Sequence, residues 1–419
     1  MRLHSFLSFA LILLLTTLFS NQSYCAPESI EDPTESLLSL PYIEYVKIED
    51  APKKTGTTIY NKNKASPGYN LYTSDTNKDV FVNLIDMDGT LIHRWARNQQ
   101  NGSLRWKQAT PFPDGSLFLS SEWTMPDWQW LDENSHSRAI YNIPGQKAHH
   151  SAYWLKTGGF LGLVENKITV PFHDLILRVQ DNSLVHISAE GRPLKTIPLS
   201  KLFEKDPGYQ KNLETSYKTL KNLLGEPTKT KKKNPLFDPL HANHIERLER
   251  DIPGVAKEGA WLITVRNLNK IIIFDPEKEE ILWQWGDNII DWPHHASFLK
   301  GDQILLLDNG THTKSSRVII LDIKTKKIVW QYGQQPGQKF FTFNGGSAQQ
   351  LPNGNILIAE CSKGRAFEIT LSGEIVWEWY NDLFTKGKHK EKRRVLYRIE
   401  RIPYDFFKGV KFNYGKVNP

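Results

Sequence analysis

Residues 347–358 read SAQQLPNGNILI, and this stretch carries the pattern that predicts the fold. A small residue is followed by two fillers, an apolar residue, a Pro-Asn-Gly turn and a β-rich run. A turn of this kind between two short apolar runs predicts a β-hairpin. The pattern recurs at residues 108–119, 151–161 and 295–305, with a divergent copy from residue 241 and a last one at residues 398–403.

A second motif alternates with the first and consists of a strand, a turn and a strand that ends in aromatic residues. Clear copies span residues 273–285, 321–332 and 369–379. The copy at residues 84–95 has no first motif before it. Each pair of motifs predicts four short strands, which form one propeller blade of about 40–50 residues.

One position in each first motif, two residues before the small residue, serves as a register position. Positions 241, 294, 346 and 397 are separated by 53, 52 and 51 residues, an even period that disfavours a β-sandwich. Six positions predict an all-β, six-bladed β-propeller whose two chain ends complete one blade together, which protects the sheet edges. The six register residues are Lys107, His150, His241, His294, Gly346 and Tyr397.

Two segments lie outside the repeat. The 91 residues between positions 150 and 241 hold one blade plus an insertion at 200–239, with a helix-like stretch at 213–224 and a basic loop at 229–233. At the N-terminus, a short basic start precedes an uncharged run at residues 6–19, which is typical of a signal peptide and too short to span a bilayer comfortably.

These features predict three regions: a signal peptide over residues 1–25, an N-terminal extension over 26–66 and the propeller over 67–419. We expect an exported, periplasmic protein without stable membrane insertion after cleavage, with an uncleaved anchor as the alternative. The mature chain would keep only Cys361, so it could form no intrachain disulfide, and this thiol is expected to be a buried small hydrophobe.

Composition narrows the function classes. The 419 residues are 39% apolar and 24% charged, which excludes a collagen-like, disordered or disulfide-scaffold protein. Lys and Arg (53) exceed Asp and Glu (46) by 7, and no helix or stripe concentrates this charge. The sequence therefore predicts no nucleic-acid partner, and a surface that does not repel small anions.

Three of the six register positions are histidines, and equivalent positions of a propeller point at the same level of its channel. We therefore expect a histidine cluster at one end of the channel, although hydrogen-bonded structural histidines are the simpler alternative. In the pairs 149–150 and 294–295, strand alternation predicts that only one member faces the channel.

Charged residues after the following strands form a second ring. Arg266 belongs to the same blade as His241 and Asn243, and a histidine, an amide and a guanidinium together suit a tetrahedral oxyanion. A metal bound by the three histidines is the competing interpretation. For Glu122 and Glu360 we expect ordinary solvated strand ends. The ring consists of Glu122, Glu165, Arg266, Asp308 and Glu360.

Three segments resemble the aryl-sulfate sulfotransferases (arylsulfotransferases), bacterial periplasmic enzymes with a six-bladed propeller. They are DPLHAN at 238–243, VRN at 265–267, and HHA at 294–296 leading to LDNG at 307–310. The resemblance covers most of the mature chain and implies that His294 becomes transiently sulfated, with His295 as the alternative. The supporting catalytic residues it implies are His150, His241, Asn243 and Arg266.

The resemblance also implies a ping-pong reaction that is independent of the PAPS nucleotide and uses no cofactor or metal. His294 would take the sulfuryl group from an aryl sulfate donor and pass it to a phenolic acceptor. Arg266 and Asn243 would hold sulfuryl oxygens, with His295 as a further substrate-binding candidate, and His241 or His150 would transfer protons.

Other interpretations stay open. The single Cys of the mature chain departs from well-known family members, which carry a disulfide near the active site. A non-catalytic propeller that binds a ligand or partner, or a metal-dependent propeller enzyme, would use the same channel. A quinoprotein dehydrogenase is suggested by the Trp-rich strand ends, but it would need about eight blades and adjacent cysteines.

Overall fold

The structure is a computed structural model, and all of the residues that it describes fall within one compact unit, Pro41–Pro419. The predicted signal peptide, most of the predicted extension and the basic loop at 229–233 lie outside the described residues. The described residues are 45–47, 54–75, 79–98, 104–123, 128–225, 235–386 and 391–412.

In this part of the chain, six antiparallel sheets of four or five strands follow one another as blades, which confirms the predicted propeller. Blade 1 contains β3 (Tyr69–Asp75), β4 (Asp79–Ile85) and β5 (Leu91–Asn98). Blade 2 contains β6 (Leu104–Pro111), β7 (Leu117–Trp123), β8 (Trp128–Leu131) and β9 (Ser137–Tyr141). Blade 3 contains β10 (Lys147–Trp154), β11 (Phe160–Phe172), β12 (Leu175–Ile187) and β13 (Pro193–Pro198), with β14 (Leu236–Phe237) parallel to β12.

The remaining three blades are the most regular. Blade 4 contains β15 (Ala242–Arg247), β16 (Trp261–Val265), β17 (Lys270–Asp275) and β18 (Glu280–Trp285). Blade 5 contains β19 (His294–Leu299), β20 (Gln303–Asp308), β21 (Arg317–Asp322) and β22 (Ile328–Tyr332). Blade 6 contains β23 (Ser347–Gln350), β24 (Ile356–Glu360), β25 (Arg365–Ile369) and β26 (Ile375–Tyr380).

In blades 4 and 6 the second strand is a mostly apolar run that is buried throughout, β16 (WLITV) and β24 (ILIAE). Neighbouring blades cover both faces of such a strand, so the strict alternation of a half-exposed strand is absent. The quoted Pro-Asn-Gly turn forms the predicted hairpin between β23 and β24. The N–H of Gly354, whose φ of 88° suits glycine, donates to the carbonyl of Leu351 at 2.9 Å.

Both chain ends complete blades. The predicted closure is confirmed, because β29 (Ile399–Ile402) pairs antiparallel with β3 as the innermost strand of blade 1. The predicted start of the propeller at residue 67 is too late, since β2 (Gly56–Tyr60) pairs with β26 as a fifth strand of blade 6. A small separate sheet contains β1 (Tyr45–Lys47), β28 (Glu391–Arg394) and β27 (Phe384–Lys386).

The predicted insertion contains two helices, α1 (Leu199–Leu202) and α2 (Pro207–Gly225). Asp206 caps α2, because its carboxylate accepts the N–H of Gly208 at 2.8 Å and that of Tyr209 at 3.1 Å. The buried face of the helix joins the same apolar cluster as the outer strands of blade 3. None of the described helices is both long enough and apolar enough to cross a membrane.

A buried ion pair holds the closing strand. The Arg401 guanidinium on β29 donates to the carboxylate of Glu368 at 3.0 Å and to Oδ1 of Asn70 at 2.6 Å. The side chains of Arg401 and Glu368 are almost fully buried. The pair therefore connects blade 6 to blade 1 at the point where the ring closes.

We expect Arg401→Met to lower the free energy of unfolding by about 3–5 kcal/mol, because it leaves the buried Glu368 carboxylate without its counter-charge. Urea unfolding measures this change. The matched control is Arg192→Met, whose side chain is 77% exposed, and it should change the free energy by less than about 0.5 kcal/mol. Equal effects of the two substitutions would show that the pair does not hold the ring closed.

Candidate active site

A cavity of about 10 Å³, which has room for about one water molecule, lies where the inner strands begin. Five of the six predicted register residues line it, which confirms that these positions converge. In blade 4 the lining residue is Asn243, whereas His241 lies two residues earlier in the chain. With Asn243 in register, the last separations become 51, 52 and 51 residues. The lining residues are Lys107, Gln108, His150, Ser151, Asn243, His244, His294, His295, Gly346, Tyr397 and Arg398.

Both His294 and His295 line this cavity, so the prediction that only one of them faces the channel is wrong. The register between β19 and β20 shifts between the pairs His294–Leu307 and Ser297–Leu305. His295 has a φ of 52°, in the left-handed region. A bulge of this kind inserts an extra residue into the strand and cancels the alternation of side chains.

His294 is buried and held in one tautomer. Its Nδ1 lies 2.7 Å from Oδ1 of Asn309 and 3.1 Å from the carbonyl of Trp292, both acceptors. Its Nε2 lies 3.2 Å from the backbone N–H of Gly345, which donates to it. The proton therefore belongs on Nδ1, and Nε2 carries the lone pair of a neutral imidazole.

Asn309 sets this tautomer, and sequence reasoning missed it as a functional residue. Its Nδ2 donates to the carbonyls of Thr342 and Gly345, both at 2.9 Å. Two acceptors on the amide nitrogen fix the orientation of the amide, so Oδ1 must face His294. The only sequence signal for Asn309 was its place in the LDNG segment.

The electrostatic surroundings keep His294 neutral. Burial, followed by the positive charge of Arg266, lowers its pKa to about 3. Burial and Arg266 likewise lower the pKa of His241 to about 4, although the Asp238 carboxylate opposes this shift. At neutral pH both rings are therefore uncharged and their nitrogen lone pairs are available.

A hydrogen-bond chain joins blade 4 to blade 3 and to the segment before the closing strand. Nδ1 of His241 bonds to the carboxylate of Asp238, and its Nε2 lies 2.9 Å from Nε2 of His150. Nδ1 of His150 lies 2.8 Å from the hydroxyl of Tyr397. His241 and His150 have φ values of 50° and 53°, a sparsely populated conformation that often marks functional positions.

When both histidines are neutral, these hydrogen bonds have one consistent donor-to-acceptor direction. Although burial opposes ionisation of Asp238, the nearby His241 and Arg266 lower the pKa of this carboxyl, so it accepts the proton of His241 Nδ1. His241 Nε2 then accepts from His150 Nε2, and His150 Nδ1 accepts from the Tyr397 hydroxyl. Asp238 and Tyr397 were missed as functional residues, although Asp238 opens a quoted segment and Tyr397 is a register residue.

Arg266 supplies a buried cation close to both histidines. Its guanidinium lies over the ring of Trp292 at 4.3 Å, and its Nε donates to Oδ1 of Asn267 at 2.8 Å. No carboxylate among the described residues lies within salt-bridge distance of it. Because its charge is not cancelled by a direct ion pair, it suits an anionic ligand.

Asn243 is oriented by the backbone carbonyl of Pro293, to which its Nδ2 donates at 2.9 Å. Its Oδ1 is buried and has no hydrogen-bond partner among the described residues. This side chain therefore offers an acceptor and one further N–H donor. The acceptor matches a hydroxyl of a ligand, while the donor matches an anionic oxygen.

Helix α2 supports the two loops that carry these groups. Nδ2 of Asn212 donates at 2.8 Å to the carbonyls of both Pro239 and Asn267. These carbonyls belong to the loop of Asp238 and His241 and to the loop of Arg266. The predicted insertion thus bridges the two loops from outside.

The charges of the cluster favour an anion over a metal. Nitrogen atoms of His149, His150 and His241 lie within 4.8 Å of one another, which is close enough for a metal site. However, Lys107 lowers the pKa of His150, after burial and the neighbouring histidines, and Arg266 lowers that of His241. Two cations near the imidazoles oppose a divalent cation and attract an oxyanion.

The second ring is only partly what the sequence predicts. Glu360 is fully buried and pairs with Arg365 at 3.0 Å, so its assignment as a solvated strand end is wrong. Asp308 pairs with Arg317 at 2.7 Å, and Glu165 lies 3.3 Å from Nδ1 of His149. The side chain of Glu122 lies outside the described residues. Cys361 is buried as expected, and burial raises the pKa of its thiol to about 12.

A solved structure shares the fold. A protein of unknown function from Bacteroides caccae matches with a TM-score of 0.51 at 15% identity, over 80% of this chain and 98% of that one. At this identity the likeness concerns the fold alone. Two further structures match with a TM-score of 0.40, which is too low to support the fold. The Dos1 propeller has 12% identity over 80% of this chain and 78% of that one. A virginiamycin B lyase from Staphylococcus aureus has 11% identity over 79% of this chain and 89% of that one.

The sequence model of the arylsulfotransferase (ASST) family matches residues 199–382. The match supports the assignment of this chain to that family, in agreement with the resemblance described above, and it supports aryl sulfotransferase-type activity in general terms. The matched range contains Asp238, His241, Asn243, Arg266 and His294. No curated protein matches the chain significantly.

The low pKa of His294 predicts a loss of stability in acid. Between about pH 6.5 and pH 4, an unfolded histidine binds a proton that the native His294 does not, so the free energy of unfolding falls with falling pH. One such histidine contributes up to about 1.4 kcal/mol per pH unit. Urea unfolding of His294→Asn should therefore show a shallower pH dependence than the wild type. Equal slopes for His294→Asn and the wild type would contradict a neutral His294.

Proposed function

We propose that this protein transfers a sulfuryl group from an aryl sulfate to a phenolic acceptor through a covalent intermediate on His294. The family match supports the general activity, and the fixed tautomer of His294 beside Arg266 is the observation that carries the finer proposal. His295 is less suited to be the nucleophile, because the cation that lowers its pKa, after burial, is Arg398 and not Arg266.

In the first half-reaction, Nε2 of His294 attacks the sulfur of the aryl sulfate. The N–S bond forms while the bond from sulfur to the aryl oxygen breaks, and a phenolate leaves. The imidazole keeps its Nδ1 proton, and Asn309 stabilises the positive charge that develops on the ring. The substrate displaces the Gly345 N–H from Nε2, a contact of 3.2 Å at the long end of the hydrogen-bond range.

The sulfuryl oxygens would face Arg266, with the second Nδ2 hydrogen of Asn243 as a further donor. A cation that is already fixed by Trp292 and Asn267 needs little reorganisation when charge spreads over these oxygens. Lys107, which lines the small cavity, adds a second buried cation, and its Nζ lies over the Tyr397 ring at 4.5 Å.

The hydrogen-bonded series that consists of Tyr397, His150, His241 and Asp238 would carry protons to and from the substrate. The negative charge of a bound aryl sulfate favours protonation of the His150–His241 pair, and this proton would pass to the departing phenolate. In the second half-reaction the neutral pair takes the proton of the acceptor phenol, whose oxygen attacks the sulfur and frees His294. The Asp238 carboxylate stabilises the protonated pair.

Export belongs to the same proposal. The predicted signal peptide would place the enzyme in the periplasm, away from cytoplasmic nucleotides, and the proposed reaction needs neither a nucleotide nor a reductant. The donor alone carries the activated sulfuryl group.

The direct test is turnover of 4-nitrophenyl sulfate by the purified mature protein, with and without added phenol. We expect release of 4-nitrophenol that increases with phenol, a sulfuryl group on His294 after rapid quenching without acceptor, and no turnover by His294→Asn. A His295→Asn variant that loses all activity while His294→Asn keeps it would reassign the nucleophile. Inactivity of the wild type towards every aryl sulfate would favour a binding propeller.

Asp238→Asn should lower kcat about 10²–10⁴-fold, because the amide no longer holds His241 in the Nδ1–H tautomer or stabilises the protonated pair.

Arg266→Met should lower kcat/KM about 10²–10³-fold through loss of an oxyanion partner. Steady-state kinetics measures both. The control is Asp174→Asn, at an exposed position in the turn between β11 and β12, and it should leave the activity unchanged. A similar loss of activity in this control would point to general instability.

A further inference from the structure

A second, larger cavity lies further along the inner strands, beyond the level of His295. It has a volume of about 470 Å³ and is lined by residues from all six inner strands. We call it the distal cavity. It shares Gln108, His244, His295 and Arg398 with the small cavity at His294, so the two spaces adjoin.

Two buried polar atoms on this shared wall have no partner among the described residues. Nδ1 of His295 donates to the carbonyl of Ala348 at 3.1 Å, which leaves Nε2 as an unpaired acceptor. Nε of Arg398 is an unpaired donor, since this side chain makes its ion pair to Glu400 through Nη2 at 2.6 Å. Arg398 lowers the pKa of His295 and of His244, after burial, so the guanidinium lies near both rings.

Unpaired buried groups of opposite type call for a ligand that both donates and accepts. A hydroxyl does so with one atom, since its hydrogen can bond to His295 Nε2 while its oxygen accepts from Arg398 Nε–H. A carboxylate would place its lone pairs against that of His295, and an ammonium group would face the Arg398 cation. The types of the two unpaired atoms therefore favour an uncharged hydroxyl over either kind of charged ligand.

The rest of the cavity is also nearly uncharged. Arg398 is balanced by Glu400, and burial raises the pKa of Glu246 to about 8, so its carboxyl is mostly protonated at neutral pH. The walls include Tyr153, Trp154 and Phe298. Aromatic walls around a polar end are suited to a flat ring that carries a hydroxyl.

We propose that the distal cavity binds an uncharged hydroxylated aromatic molecule, a phenol, with its hydroxyl between His295 and Arg398. The binding site itself stands on this geometry. Its biological meaning rests on the proposed function, since a phenol is both the acceptor and the first product of that reaction. The cavity would then hold phenols next to the sulfuryl-transfer site, separate from the cation-lined position of the aryl sulfate.

The test uses 4-fluorophenol as the probe and fluorine NMR of the intact mature protein as the readout. 4-Fluoroanisole is the matched ligand, because it has the same ring but cannot donate a hydrogen bond. We expect 4-fluorophenol to bind at least tenfold more tightly than 4-fluoroanisole. We expect Ser297→Trp, which fills the cavity from its wall, to weaken binding at least tenfold.

Two further variants locate the binding site. Val329→Trp, on the exposed outer strand of blade 5, adds the same side chain away from the cavity and should bind the probe like the wild type. His294→Asn should keep the binding within twofold. If Ser297→Trp does not fold by circular dichroism, His295→Phe replaces it, because it removes the Nε2 acceptor at similar volume.

Equal affinity of Ser297→Trp and the wild type, equal affinity for the two ligands, or loss of binding in His294→Asn would each overturn the proposal. Turnover of 4-nitrophenyl sulfate is measured on the same samples. Probe binding without turnover would refute the proposed function and leave the distal site standing, whereas turnover without probe binding would do the reverse.

Discussion

The closure of the ring by β29 is the constraint on which the rest of the structure depends. Tyr397 and Arg398 precede this strand by one or two residues, so they reach the channel only when Ile399–Ile402 pairs with β3. Tyr397 then completes the hydrogen-bond chain through His150, and Arg398 completes the wall shared by the two cavities. The contact that seals the sheet edge is thus also the one that assembles the site.

Burial determines the chemistry of the channel. An imidazole in water is partly protonated near neutral pH, but His294 and His241 are enclosed and lie near Arg266, so both remain neutral. The cost of enclosing the cation is limited because Arg266 packs on an aromatic ring and is hydrogen-bonded through Nε. A neutral imidazole beside a fixed cation attracts anions, while the lone pair of the imidazole stays free of a proton.

Much of the fold could be predicted because the repeat is a local signal. Turn residues, apolar runs and an even period recur within one blade, so blade number, ring closure and the helical insertion follow from the sequence. The position of His241 could not be predicted, because the divergent repeat displaces it by two residues and only the folded channel shows Asn243 in register. The bulge at His295 likewise depends on backbone angles that the residue types in this segment do not predict.

Asn309 and Asn212, which sequence reasoning missed, act through contacts between distant parts of the chain. Asn309 matters because two carbonyls of the segment between β22 and β23 orient its amide. Asn212 matters because it bridges two loops from helix α2. Asn309 contacts the His294 ring itself and Asn212 contacts the two loops, and neither residue lines the small cavity. Neither periodicity nor residue type therefore singles them out. In a propeller the repeats determine which positions converge, whereas the irregular segments determine how the converged side chains are oriented.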